Sequence, residues 1–260
     1  VLKLDFSQMR WMGVLQRIGL CYLLVSLLVL NTKRRTQIVL FVVVLLAYWT
    51  AMMLVPVPGF GAGNLTAEGN LHSYLDQQIL AKILHSKFSP RYYGFGDSNG
   101  VLGTFTAACS MLLGVFAGYW LKSPNAGRKK VLGLMAGGVA CLVTGYLWGL
   151  VFPINKHIWN SPYVLYAGGW CLLLLSFFYW AIDVKGYAKW TFFFTVIGMN
   201  AIFIYVAQQI IDFGKIADVF LGGVAAHAGF LGPLILPCGV LAAKWLLLRY
   251  MYHKGIFFKV

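Results

Sequence analysis

Val131–Val151 reads VLGLMAGGVACLVTGYLWGLV. It carries no charge, and it is long enough to cross hydrocarbon as a helix, which takes about 17–25 residues. Its apolar character runs all the way round, unlike the alternating strands of a membrane barrel. An isolated strand in lipid would also leave its backbone polar groups without partners. Six more segments of similar character lie on either side, at 14–30, 38–55, 101–121, 163–182, 190–211 and 230–250. The fold class expected is all-α: a multi-pass transmembrane helix bundle of about seven spans, with residues 1–260 as a single transmembrane domain.

Composition agrees. Of 260 residues, 60% are hydrophobic and 11% charged, with mean hydropathy +0.76. A soluble domain has roughly a quarter charged residues and under half apolar ones, and one soluble core cannot hide this much apolar surface. A disordered chain, a disulfide scaffold and a cytosolic Rossmann-type enzyme are excluded. The cysteines (Cys21, Cys109, Cys141, Cys171, Cys238) all fall in apolar segments without metal-ligand spacing and read as small buried hydrophobes. The chain opens at Val1 without a signal-like stretch, as a cut polypeptide would.

The net charge of +14 records orientation. Lys33, Arg34, Arg35, Lys122, Arg128, Lys129, Lys130, Lys185, Lys189, Lys244, Arg249, Lys254 and Lys259 fall on one side, which makes 13 of the 21 basic residues. That side is cytoplasmic by the positive-inside rule. Residues 1–13, 56–100, 152–162 and 212–229 are then outside, with the C-terminus in the cytoplasm and Val1 on the outer side. No nucleic-acid partner is expected.

The outer loop 56–100 contains an amphipathic helix, since Leu71, Leu75, Ile79 and Ile83 recur every four residues with Asp76 and Lys82 elsewhere. Such a stripe suits a helix lying in the interface or capping the bundle. Gly114/Gly118, Gly133/Gly137 and Gly145/Gly149 read as close helix contacts. Trp49, Trp120, Trp180, Trp190 and Trp245 near span ends read as an aromatic belt. No phosphate loop, Gly-x-Ser-x-Gly or His-Glu-x-x-His motif occurs.

Polar residues at membrane depth are costly and face protein or water. Gln16 and Arg17 begin the first span, where an arginine either snorkels or serves a site. Asp97, Ser98, Asn99 and Thr104 gather at the mouth of the 101–121 span, where Asp97 would cap the helix or meet a polar ligand. Trp148, Asn155, Lys156 and Trp159 surround an outer connection. They suit either an interfacial anchor or a sugar site, with indoles stacking on rings and Asn or Lys reading hydroxyls. Asn200 sits mid-span, as interhelical glue or as part of a polar path.

Four segments carry a resemblance: Gly13-Val14-Leu15-Gln16-Arg17, Gly100-Val101-Leu102-Gly103-Thr104, Phe152-Pro153-Ile154-Asn155-Lys156 with Trp159, and Gly198-Met199-Asn200-Ala201-Ile202. In order and approximate spacing they resemble the family of the lysosomal heparan-α-glucosaminide N-acetyltransferase and its bacterial relatives, some of them labelled N-acetylglucosamine-related transporters. The resemblance covers about residues 10–211. It implies a multi-pass enzyme of the bacterial inner membrane that moves acetyl from cytoplasmic acetyl-CoA, as co-substrate, to the amino group of a glucosamine-type sugar outside. Its partners would be the lipid bilayer and the amino sugar or its acetylated product, with homo-oligomerisation left open and no metal required. Gln16, Arg17, Asp97, Asn99, Trp148, Asn155, Lys156, Trp159 and Asn200 would bind substrate or line its path.

The family's catalytic histidine would lie upstream of Val1, with about three more spans, so no catalytic residue is assigned within the chain. His157 lies inside a family motif but reads equally as a solvated interface residue. The family's usual Asp-Pro-Glu-Gly is Asp97-Ser98-Asn99-Gly100 here, so an amide replaces an acid at Asn99. A sugar transporter without chemistry is the alternative. Transporters usually pair two broken helices, and only the 230–250 span, with Pro233 and Pro237, looks interrupted.

Overall fold

In the computed structural model, residues 13–79 and 99–258 are described. Among them the regular structure is helical, apart from an isolated bridge between Val57 and Gly61. The helices are α1 (Val14–Asn31), α2 (Arg34–Leu54), α3 (Leu71–Asp76), α4 (Val101–Leu121), α5 (Gly127–Gly149), α6 (Ser161–Tyr179), α7 (Phe192–Met199), α8 (Ala201–Ile210), α9 (Phe213–His227) and α10 (Gly232–His253). Six helices are long and apolar enough to cross a membrane, or seven if the bent pair α7–α8 counts as one. The protein is an all-α integral membrane protein.

The chain divides into two compact units, Val1–Val184 and Lys185–Val260. In the first, α4 is central and meets α1, α2, α3, α5 and α6. Cys21 and Val25 of α1, Phe41 and Leu45 of α2, Cys109 and Leu112 of α4 and Val164 of α6 form its core. A second cluster, with Tyr48, Met52, Leu71, Phe152 and Ile158, closes the end where α3 lies. Side-chain hydrogen bonds tie this end together, because an unpaired buried donor costs about 1–3 kcal/mol. Tyr48 Oη donates to the Ile158 carbonyl at 2.9 Å, and Ser161 Oγ donates to the Leu45 carbonyl at 2.7 Å.

Several expectations are corrected. Cys171 and Cys238 are exposed, unlike Cys21 and Cys109, because the other described residues do not cover the faces of α6 and α10 that carry them. The amphipathic segment is described only to Ile79, and α3 is covered on its polar side as well: Leu71, His72, Ser73 and Asp76 are buried and Leu75 is half-buried. Pro237 does not interrupt its span, since α10 runs through it. The interruption is instead at Asn200, where α7 and α8 diverge by 58°.

Asn200 itself stands at the bend between the two helices. Its Nδ2 donates to the Ile256 carbonyl at 3.0 Å, and its Oδ1 accepts from the Phe258 N–H at 3.0 Å. Both partners lie beyond the end of α10. The amide is fully buried and satisfied by backbone, as a buried amide must be.

Of the glycines expected at close helix contacts, Gly133 lies against the Trp120 ring and Gly145 against α6, and Gly138 joins them. A Cβ on Gly145 would stand 2.7 Å from the Tyr166 N and 3.0 Å from the Pro162 carbonyl. One on Gly138 would meet the Gly169 carbonyl at 3.0 Å. Gly138 and Gly145, two turns apart on α5, therefore seat the backbone of α6 directly. Gly114 and Gly118 have nothing within 4 Å. Gly145→Ala must force two backbones apart, and overpacking of this kind costs about 1–3 kcal/mol. Gly114→Ala meets open space and gains helix propensity. Thermal unfolding in detergent should show a lower midpoint for Gly145→Ala only; equal midpoints would contradict the seam.

Candidate functional site

Arg17 stands in the first turn of α1 and is only 5% exposed. A buried guanidinium has to find acceptors or π density, and Arg17 draws them from distant segments. Nη2 donates to the Gly103 carbonyl at 2.6 Å, and Nη1 points at Asn99 Oδ1, 3.5 Å away. Its Cζ lies 4.5 Å from the centroid of the Trp159 ring. The starts of α1, α4 and α6 thus converge at one end of the first unit. Their N-terminal ends add partial positive charge to that of Arg17.

Trp159 is held in an unusual backbone state, with φ +49°, the one positive φ among the described non-glycine residues. Such strain costs about 1–3 kcal/mol and persists only where the surroundings over-determine it. Here they do. The indole Nε1 donates to Ser110 Oγ at 3.0 Å, one ring face carries Arg17, and Tyr163 meets the ring edge-on at 5.0 Å. A cation–π contact of a desolvated arginine is worth up to about 2 kcal/mol, enough to offset much of the strain.

The connection before α6 is shaped by Asn160, which is fully buried. Its Nδ2 donates to the Pro153 carbonyl at 2.7 Å, and its Oδ1 accepts from the N–H groups of Asn155 at 3.1 Å and Tyr163 at 3.2 Å. One side chain closes the loop and caps the helix. Asn155 Oδ1 in turn accepts from the His157 N–H at 2.9 Å.

Behind Arg17 lies a second buried polar group. His72 Nε2 is 3.3 Å from Asp76 Oδ2, with both side chains at most 1% exposed. Asp76 Oδ1 accepts from the Val101 N–H at 2.9 Å and so caps α4 from another helix. Gly103 allows this crowding: a Cβ there would lie 2.9 Å from His72 Cε1, 3.1 Å from the Ile158 carbonyl and 3.5 Å from Arg17 Nη2.

A cavity of about 680 Å³ opens beside Arg17, Asn99, Lys156, His157 and Trp159, with Val14, Ile18, Cys21, Ala107 and Met111 along its apolar side. Of the residues singled out in the sequence, Arg17, Asn99, Lys156 and Trp159 meet in this cavity. Gln16 is exposed on α1. Trp148 packs edge-on against Trp49 at 5.7 Å, and Asn155 shapes the loop. Asn200 belongs to the second unit, and Asp97 lies outside the described residues. One face of Trp159, the residue expected to stack on a sugar, carries Arg17. His72, Asp76, Ser110 and Asn160 were not singled out. The signal for the first two was present, since His72 and Asp76 are four apart and share a helix face. Among the described residues no three His, Cys, Asp or Glu side chains gather as a metal site.

No family model matches the chain. Over 99% of its length it is similar to heparan-alpha-glucosaminide N-acetyltransferase of Homo sapiens, at 28% identity, and of Mus musculus, at 26%. It covers 45% of each, so the chain spans about half the length of the curated relatives it matches. Both relatives are named as acetyltransferases and neither as a transporter, so the transporter reading is not favoured. These homologues support assigning the chain to the heparan-alpha-glucosaminide N-acetyltransferase family, the one its four sequence segments resemble.

Proposed function

We propose that the full-length protein transfers acetyl from cytoplasmic acetyl-CoA to the amino group of a glucosamine-type sugar held on the outer side at the α1/α4/α6 cavity. The observation that carries this reading is the buried guanidinium of Arg17, fixed at a cavity that Lys156 also lines. In acetyl transfer the amine nitrogen bonds to the thioester carbonyl carbon, the C–S bond breaks, the amine loses a proton, and CoA leaves as its thiol. Fixed positive charge favours both halves. It keeps the attacking amine neutral, and it stabilises the oxyanion that develops on the carbonyl oxygen. Asn99 adds an amide able to donate to a hydroxyl or accept from an amine.

At the other end of the same unit, Lys33, Arg34 and Arg35 precede or begin α2, and Arg128, Lys129 and Lys130 begin α5. Arg34 lies over the ring of Tyr119, near the end of α4, at 5.6 Å. Cations collected there suit the phosphates of a CoA ester. His72 and Asp76 act in this reading as positioning residues, because they hold the start of α4 and hence Gly103, the acceptor for Arg17.

The decisive assay supplies radiolabelled acetyl-CoA to the cytoplasmic face of vesicles containing the full-length protein, with glucosamine on the other side. Acetylated sugar is expected; its absence from correctly folded and oriented protein would sink the proposal. Arg17→Gln should lower kcat by about 10²–10³, the usual effect of removing an oxyanion donor. Arg17→Lys should recover only part of that, since an ammonium cannot lie flat on Trp159 while reaching Gly103. Asp76→Asn should reduce stability and kcat together with KM little changed. A KM effect alone would move Asp76 from a positioning role to substrate binding.

A further inference from the structure

The second unit assigns its own membrane crossing differently from the hydropathy pattern. We infer that the strand of chain crossing the bilayer beside α10 is α8 and α9 together, residues 201–227, with their polar break at mid-depth. The exposed face of α9 with Val219 and Phe220 would meet lipid, with Lys215 and its partner Asp212 at the polar end of that face. This inference stands independently of the acetyl-transfer reading.

The ruler is α10. Its Gly232–His253 extent is about 33 Å at 1.5 Å per residue, matching a hydrocarbon core of about 30 Å. Asn200 is pinned to Ile256 and Phe258, past the end of that ruler, and Phe203 stacks on Phe258 at 5.2 Å. The chain therefore begins α8 at the level where α10 finishes. Eight residues later Gln208 Oε1 accepts from Lys244 Nζ at 3.0 Å. Lys244 lies about 18 Å into α10, just past its middle. Phe213, which opens α9, lies 5.6 Å from the same ammonium.

From there α9 runs back along the first half of α10. A Cβ on Gly239 would touch Leu221 and, at 3.3 Å, Ala217. One on Gly232 would stand 2.5 Å from the Ala225 carbonyl. Residues 217, 221 and 225 thus climb towards the start of α10, antiparallel to it. Helices α8 and α9, with 10 and 15 residues, add about 37 Å of rise, enough for one tilted crossing. Segment 190–211 is then not a crossing, and α9 is not part of an outer loop. Helix α7 instead packs against the last turns of α10, with Val196, Leu248 and Met251 in one cluster.

The break itself is polar. Gln208, Gln209, Asp212 and Lys244 line a recess of about 470 Å³, and Asp212 caps α9 by accepting from the Lys215 N–H at 3.1 Å. Two amides, a carboxylate and an ammonium at the middle of a bilayer are costly unless water or protein covers them. A discontinuous helix is tolerated at that depth where it lines a wet cavity. Phe220, 78% exposed, and Val219, 81% exposed, lie outside this recess on α9.

Single cysteines in the full-length protein, with label corrected for the parent, test both halves. Gln209→Cys in intact membranes should react with a small charged thiosulfonate but not with a polymer-sized maleimide. Reaction with both from the outer side would return the segment to an outer loop, and reaction with neither would remove the wet recess. A bimane on Ile216→Cys should be quenched most by lipids brominated at mid-chain. Quenching by aqueous iodide or headgroup quenchers alone would overturn the crossing. Reactivity of each cysteine after detergent solubilisation provides the control for a misplaced or blocked thiol.

Discussion

A guanidinium cannot lose water without replacing it, and the first unit is organised around that requirement at Arg17. The side chain leaves α1 one turn from its start and needs neighbours on every side. A carbonyl exposed in the first turn of α4 provides one, and an indole locked in a left-handed backbone state before α6 provides another. Each then needs its own support. Gly103 has to be a glycine because His72 and Ile158 crowd it, and Trp159 needs Ser110 to hold its ring. Three helix starts are drawn to one point by a single charge.

The outer layer of that arrangement is polar and buried at once. His72 and Asp76 close the base of α4, and Asn160 closes the loop before α6. Such groups add little net stability, since their desolvation cancels much of the hydrogen-bond gain. Their contribution is definition. Held by these contacts, they fix the start of α4 and the loop before α6 beside the cavity.

Much of this was legible in the sequence, for a physical reason. Lipid imposes a strict rule on the backbone, so long uncharged segments could only be helices, and most boundaries fell within a few residues of those observed. Arg17, Asn99, Lys156 and Trp159 stood out because polar groups at helix mouths are expensive. What stayed hidden depended on direction. The stripe of Leu71 and Leu75 identified an amphipathic helix, but not that its polar side faced the protein. In a membrane protein, burial by neighbours and burial by lipid look alike in composition. The partners of Asn200 stayed hidden for the same reason: hydropathy measures how apolar a segment is, not what its polar residues touch, which here is the backbone of Ile256 and Phe258.

The position of Arg17 also bears on how the protein is made. Its carbonyl partner is 86 positions further along the chain, and Trp159 comes later still. While α1 enters the membrane, neither has been synthesised, so the charge must wait at the interface, one turn from the helix end, with its aliphatic stem in lipid. It can be drawn inward only after α4 and the loop before α6 have arrived. Burial of Arg17 therefore depends on parts of the chain made well after its own helix.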